Sequence, residues 1–197
     1  SSHPVKKFIF FSSIAVYGVD DDNPTITENT PVQLDTYYGL AKYVCEQLLT
    51  LTFAELSESS LAGLRTPTIY GPNEKIRAPT PSGFLSTYLA GDEVTIWGDG
   101  SELREFLFIE DLARLIDTLT FNDFSGTLNL SSGVARSYEE SLAIISNILG
   151  VKLTFHSKER TKEKVDKAYD IARLRQIVPE FVFTPLEDGL KFIKDNQ

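Results

Sequence analysis

The chain has no methionine, even at its first position. This leaves two readings: an internal stretch of a longer polypeptide, or a form whose methionines were lost or replaced. A single cysteine, Cys45, cannot make an internal disulfide, so a reducing, cytoplasmic setting is expected. Set between Val44 and Leu48 in a helical pattern, that thiol is expected to be a small buried hydrophobe. Positive charge is scarce. Against 28 Asp and Glu stand 19 Lys and Arg, a net charge of −9. A nucleic-acid partner is therefore not expected, because phosphate backbones call for clustered cations. The two histidines, His3 and His156, have no ligand-like companions, and no metal site is expected. No apolar run is long enough to span a membrane, and SSHPVKKF carries no secretory pattern, so no membrane partner is expected either.

The 197 residues suffice for one sizeable core or two small ones. The organising stretch runs from Phe8 to Lys42. It opens with Phe8-Ile9-Phe10-Phe11, too short for a helix and bounded by Ser12-Ser13, the pattern of a parallel strand buried on both faces. It closes with Tyr38 and Lys42 at the head of a segment whose apolar residues recur at helical spacing. Four residues apart on a helix means one face, about one turn apart. Tyr37 is excluded from the pairing, because four residues on it meets Ala41.

These groups suit one kind of chemistry. Free tyrosine has a pKa near ~10, so it is a poor base at neutral pH unless a cation stabilises its phenolate. Lys42 is placed to supply that cation. A phenolate against a substrate alcohol takes its proton while the carbon gives up a hydride, and Ser13 holds the same oxygen. No side chain accepts a hydride, so a nicotinamide is needed. Alone, each signal has a plainer reading: a solvated Tyr–Lys pair, or a Ser-Ser turn.

Order and context favour the chemistry. Ser13, then Val16-Tyr17-Gly18, then Tyr38-Gly39-Leu40-Ala41-Lys42 resembles the extended short-chain dehydrogenases, the family of NAD-dependent epimerases and dehydratases acting on nucleotide sugars. A second block, from Trp97-Gly98-Asp99-Gly100 through Arg104-Glu105-Phe106 to Asp111, is similar to that of GDP-fucose synthases and related epimerases. The resemblance implies Ser13, Tyr38 and Lys42 as catalytic residues. It implies Ser12, Tyr38, Lys42 and Pro67 at the cofactor, NAD or NADP. Ser13, Thr68, Trp97 and Arg104 are implied at the nucleotide-sugar substrate, with Arg104 gripping the diphosphate through its forked donors. Thr68 stands where many relatives carry an asparagine, and a hydroxyl offers fewer hydrogen bonds than an amide. A homodimer through the helix bearing Tyr38 is also implied. Related 4,6-dehydratases put threonine, aspartate and glutamate where Ser13-Ile14-Ala15 stand, so elimination by that route is not expected.

The glycine-rich turn that opens a dinucleotide-binding fold does not occur, and Gly98-Asp99-Gly100 reads as a turn. The expectation is an α/β fold: a Rossmann-type parallel sheet truncated at its amino end, with a small mixed α/β substrate domain. Residues 1–71 and 106–131 are assigned to the cofactor domain, and 72–105 and 132–197 to the substrate domain. A strand over Val5–Phe11 would then show an apolar edge with unpaired backbone groups.

Further strands are expected at Leu61–Ile69, Glu93–Trp97, Gly126–Leu130 and Val151–Phe155. A loop is expected over Asn73–Ser82. Helices are expected over Tyr37–Leu56, Phe84–Leu89, Asp111–Phe121, Asp170–Val178, Pro185–Lys194 and from a Ser137/Glu140 capping box to Gly150. Glu110 and Asp111 read as structural, at a helix amino end. Lys158 and Arg160 sit in a charge run that reads as a solvated face, and are the weaker choice for a second phosphate contact. Trp97 reads as core or as a ring under the ligand. The functional expectation is an NAD(P)-dependent nucleotide-sugar epimerase or oxidoreductase. Its rival is a non-catalytic nucleotide-sugar-binding remnant lacking the cofactor half.

Overall fold

A computed structural model describes residues 5–18, 25–74, 79–160 and 164–196. The chain runs β1 (Lys7–Ser13), a short 3-10 turn (Ile14–Tyr17), β2 (Thr25–Ile26), α1 (Tyr37–Ala54), β3 (Ser60–Thr66), β4 (Thr68–Tyr70) and α2 (Pro81–Leu89). It continues with β5 (Val94–Trp97), β6 (Leu103–Phe108), α3 (Ile109–Thr120), β7 (Gly126–Asn129), β8 (Ala135–Ser137) and α4 (Tyr138–Leu149). It closes with β9 (Phe155–Lys158), β10 (Ala168–Tyr169), α5 (Ala172–Ile177) and α6 (Leu186–Asp195). These elements fall into two units. The first takes residues 1–67, 112–131 and 169–181; the second takes 68–111, 132–168 and 182–197.

The first unit is built on a parallel sheet in the order β1-β3-β7. From β1 the chain passes through α1 into the parallel β3, a βαβ crossover and hence an α/β fold of Rossmann type. Among the described residues β1 pairs with β3 alone, so its outer edge carries unpaired backbone groups, as the sequence led us to expect. Burial on both faces does not hold for β1. Phe8 is 38% and Phe11 42% exposed, because the strand lies at the sheet edge. Leu64, Leu115, Leu119, Leu128 and Leu174 are fully buried in this unit.

Helix α1 corrects one expectation. Its inner stripe is Gly39, Lys42, Glu46, Leu49 and Phe53, spaced three or four apart, with Tyr43 beside Lys42, and it is turned towards β1 and β3. Cys45 lies off that stripe and is exposed, not buried.

The second unit holds a core of Tyr70, Phe84, Leu85, Ile96, Phe106, Phe108, Tyr138, Leu142, Ile145 and Leu190. Helices α2, α4 and α6 pack on one another around it. Its strands form two small sheets, β4-β6-β8 and β5-β9. The expected strand Leu61–Ile69 is broken at Pro67, which has no N–H to give a ladder and a fixed φ. β3 and β4 on either side of it belong to different sheets.

Helix α2 starts at Pro81, capped by Thr80, which shortens the expected loop; residues 75–78 of that loop lie outside the described residues. The strand expected over Val151–Phe155 lies instead at Phe155–Lys158, where β5 offers a ladder. Leu153 packs on the core. The capping box is present: Ser137 Oγ accepts from Glu140 N at 2.9 Å and Glu140 Oε2 from Ser137 N at 2.8 Å. Gly150 ends the helix in the left-handed region, φ 67°.

Candidate active site

Strand β1 ends in Ser12 and Ser13, both buried. Ser13 is the last rung of the ladder, opposite Thr66, and it caps the 3-10 turn, its Oγ accepting from Ala15 N at 3.2 Å. A hydroxyl is both acceptor and donor, so the Ser13 O–H remains available to another oxygen. Ser12 Oγ is buried without a hydrogen-bond partner among the described residues.

Helix α1 is started by Thr36, whose Oγ1 accepts from Gly39 N at 3.0 Å. Gly39 then presses on the turn that follows Ser13: a Cβ there would lie 2.4 Å from Ala15 O. Only glycine permits that approach. It places the first turn of α1, with Tyr38, in the corner where β1 ends.

Tyr38 is 57% exposed, and Tyr37 beside it 94%. Lys42 reaches back to β1, its Nζ donating to Phe11 O at 2.7 Å. The same Nζ lies 5.6 Å from the Tyr38 ring centroid and 5.4 Å from that of Phe10. An ammonium has three donors, so the bond to Phe11 leaves two for a ligand. Ser12, Ser13, Tyr38 and Lys42 thus share one corner of the first unit. Pro67 is buried at the end of that unit, and Thr68 begins the second.

A buried network the sequence reading missed sets α1 on the sheet. Glu46, one turn beyond Lys42, meets Arg65 of β3 in a two-pronged pair: Nε to Oε1 at 3.0 Å and Nη2 to Oε2 at 2.7 Å. The Arg65 guanidinium lies 4.8 Å from the Tyr17 ring centroid, and Tyr17 donates to Asn129 Oδ1 at 2.6 Å. Burial raises the Tyr17 phenol above its usual range, with the Arg65 charge pulling the other way. One signal was in the sequence: an arginine inside Leu61-Ala62-Gly63-Leu64-Arg65 needs an anion if the strand is central.

The second unit holds the other expected residues. Trp97 is 51% exposed, because along β5 Val94 and Ile96 point inward and Thr95 and Trp97 outward. That removes the core reading for Trp97. It lines a cavity of about 300 Å³ with Phe84, Thr87, Thr95 and Lys158, and the Lys158 Nζ lies 5.8 Å from the indole centroid.

Arg104, on β6, donates through Nη1 to the carbonyls of Leu103 and Val165 at 2.8 and 2.6 Å and through Nη2 to Glu102. Arg160 is no solvated charge. Its Nη2 meets Asp99 Oδ1 at 3.2 Å and its Nη1 lies 3.5 Å from Glu102 Oε2. Hydrogen bonds from the Ser101 hydroxyl and N–H, then from Arg160, hold the Asp99 carboxyl down at about 2. Burial raises the phenol of Tyr138, which the Arg104 charge opposes. Asp111 is buried and accepts from Thr184 N and Oγ1 at 2.8 and 2.7 Å, a structural role as expected. Among the described residues no three His, Cys, Asp or Glu side chains are grouped to hold a metal ion, and no helix is long and apolar enough to cross a membrane.

A βαβ sheet with a tyrosine and a lysine one turn apart beside a strand-end serine defines a class, and the comparisons agree with it. The chain belongs to the NAD dependent epimerase/dehydratase family, whose model matches residues 1–130. It is 26% identical over 191 residues to the uncharacterized UDP-glucose epimerase YtcB of Bacillus subtilis, covering 95% of this chain and 59% of that protein.

A UDP-N-acetylglucosamine 4-epimerase from Methanobrevibacter ruminantium, solved with UDP-N-acetylmuramic acid, matches with a TM-score of 0.84 at 26% identity. The match covers 98% of this chain and 64% of that one. MoeE5, solved with UDP-glucose and NAD, matches at 0.81 and 26% identity over 94% of this chain and 62% of its own. The chain therefore spans about three fifths of the length of these relatives.

Proposed function

We propose that this chain carries the proton-transfer and nucleotide-sugar-binding parts of an NAD-dependent nucleotide-sugar epimerase or closely related oxidoreductase. The observation that carries the reading is the Ser13, Tyr38 and Lys42 corner. Tyr38 is open to a ligand, Lys42 faces its ring from a fixed anchor on β1, and the Ser13 hydroxyl has its donor side free.

Bound sugar would place one hydroxyl between Ser13 and Tyr38. Tyr38 takes the proton of that hydroxyl as the carbon is oxidised and returns it on reduction. The Lys42 ammonium stabilises the negative charge on the phenolic oxygen throughout. Ser13 donates to the sugar oxygen and holds it in line. NAD supplies the hydride acceptor and donor, which no side chain can provide. The residues that fit it are Ser12, whose buried hydroxyl has no partner among the described residues, Lys42 with two unused donors, and Pro67. Absence of acidic groups at Ile14 and Ala15 favours epimerisation over 4,6-elimination.

The first unit is assigned to the cofactor and the second to the nucleotide sugar. There Arg104 would meet the diphosphate, with Trp97 and Thr68 as further contacts and Arg160 as a second cation. Outward on α1, Leu40, Val44, Leu48 and Leu51 are all more than two fifths exposed at helical spacing, which supports a homodimer through that helix. The single unpaired thiol, Cys45, suits a cytoplasmic setting.

The test is Tyr38→Phe, assayed with NAD and UDP-hexoses. Turnover is expected to fall by about 10²- to 10⁴-fold with nucleotide-sugar affinity kept. Undiminished turnover would remove Tyr38 from the mechanism.

A further inference from the structure

Arg104 and Arg160 hold a single carboxylate between them. Glu102 takes Arg104 Nη2 on Oε1 and Arg160 Nη1 on Oε2, the latter at 3.5 Å. All three side chains are largely covered, at 14% exposure for Glu102, 25% for Arg104 and 21% for Arg160.

Neither guanidinium is loose. Two backbone carbonyls fix Arg104. Arg160 is fixed by Asp99 and by Gly98, where a Cβ would fall 2.0 Å from its Nε. Two cations held this close repel unless an anion lies between them. Glu102 is that anion.

Forked donors fixed in this way suit the oxygens of a phosphate as well as those of a carboxylate. We propose that Glu102 is a built-in occupant of the diphosphate site. It neutralises the arginine pair while no nucleotide is bound, and the diphosphate of a nucleotide sugar displaces it. The proposal rests on the reading of Arg104 as a diphosphate ligand and adds a specificity-determining residue to it.

Glu102 lies just before β6, outside the ladder, so its side chain can swing away without breaking strand pairing. As part of the chain it competes at a high effective concentration. A ligand with one negative charge offers the arginines no more than Glu102 already does, whereas a diphosphate brings more charge and more acceptor oxygens. Glu102 thereby lowers affinity for every phosphate ligand and reserves the site for the strongest anions.

Calorimetric titration with UDP and with uridine tests this on the wild type, Glu102→Gln, Glu102→Ala and Arg104→Gln. Both Glu102 variants are expected to bind UDP about three- to tenfold more tightly, because the competing charge is gone, with uridine affinity unchanged. If neither variant gains affinity for UDP while Arg104→Gln loses it, the occupant role is overturned and the arginine site stands. A gain for uridine equal to that for UDP also overturns it, since the effect would then not be electrostatic. If Arg104→Gln leaves UDP affinity unchanged, the diphosphate reading fails and the proposal fails with it.

Discussion

Glu46 and Arg65 put opposite charges where almost no water reaches, at 5% and 6% side-chain exposure. Such a pair is costly to form and more costly to break, because removing one partner strands the other. Glu46→Gln is expected to destabilise the protein by about 3 kcal/mol or more in chemical denaturation. Replacing both, with Glu46→Leu and Arg65→Met, should recover much of that loss. Equal stability of the single variant and the wild type would show that the pair does not anchor α1.

Of this network the sequence displayed one half. Arg65 is conspicuous inside an apolar strand, but Glu46 looks like any helix acid until the fold brings it to β3. Glu102 was hidden for the same reason. In the sequence it is a neighbour of Arg104, and only Arg160, 58 positions on, turns it into the centre of a charge cluster. Ser13, Tyr38 and Lys42 were legible because spacing along one helix and position at one strand end are local properties.

Helices were read best because their ends are written in side chains. Ser137 and Glu140 mark one start, and Gly150 the stop. Short strands were read less well. β6 and β8 were not foreseen, since three to six residues carry little periodicity and their pairing is set by partners far away. β9 shifted towards Lys158 because Leu153 before it is used for core packing rather than for a ladder.

Gly39→Ala would drive a methyl into Ala15 O, so the first turn of α1 must move or unwind. The expected result is a loss of about 1–3 kcal/mol in stability, with a larger proportional fall in turnover than a distant variant of equal stability shows. Turnover unchanged at reduced stability would mean that the position of Tyr38 does not depend on that approach.

For the molecule as a whole, the central claim is that α1 and the end of β1 perform nicotinamide-dependent chemistry on a sugar. The Rossmann-type sheet and the apolar edge of β1 were both legible, because an apolar run as short as Phe8–Phe11, closed by two serines, suits a sheet strand and is too brief for a helix. The way the second unit gathers Trp97, Arg104 and Arg160 was not, because it depends on the pairing of β5 with β9.

The most direct measurement is proton NMR of a panel of UDP- and GDP-hexoses incubated with the protein, with and without NAD. The predicted result is conversion to a new sugar epimer or an oxidised or reduced product in the presence of NAD, lost in Tyr38→Phe. Nucleotide-sugar binding that is the same with and without NAD, and no conversion of any sugar, would contradict the claim and leave the binding-module reading in its place.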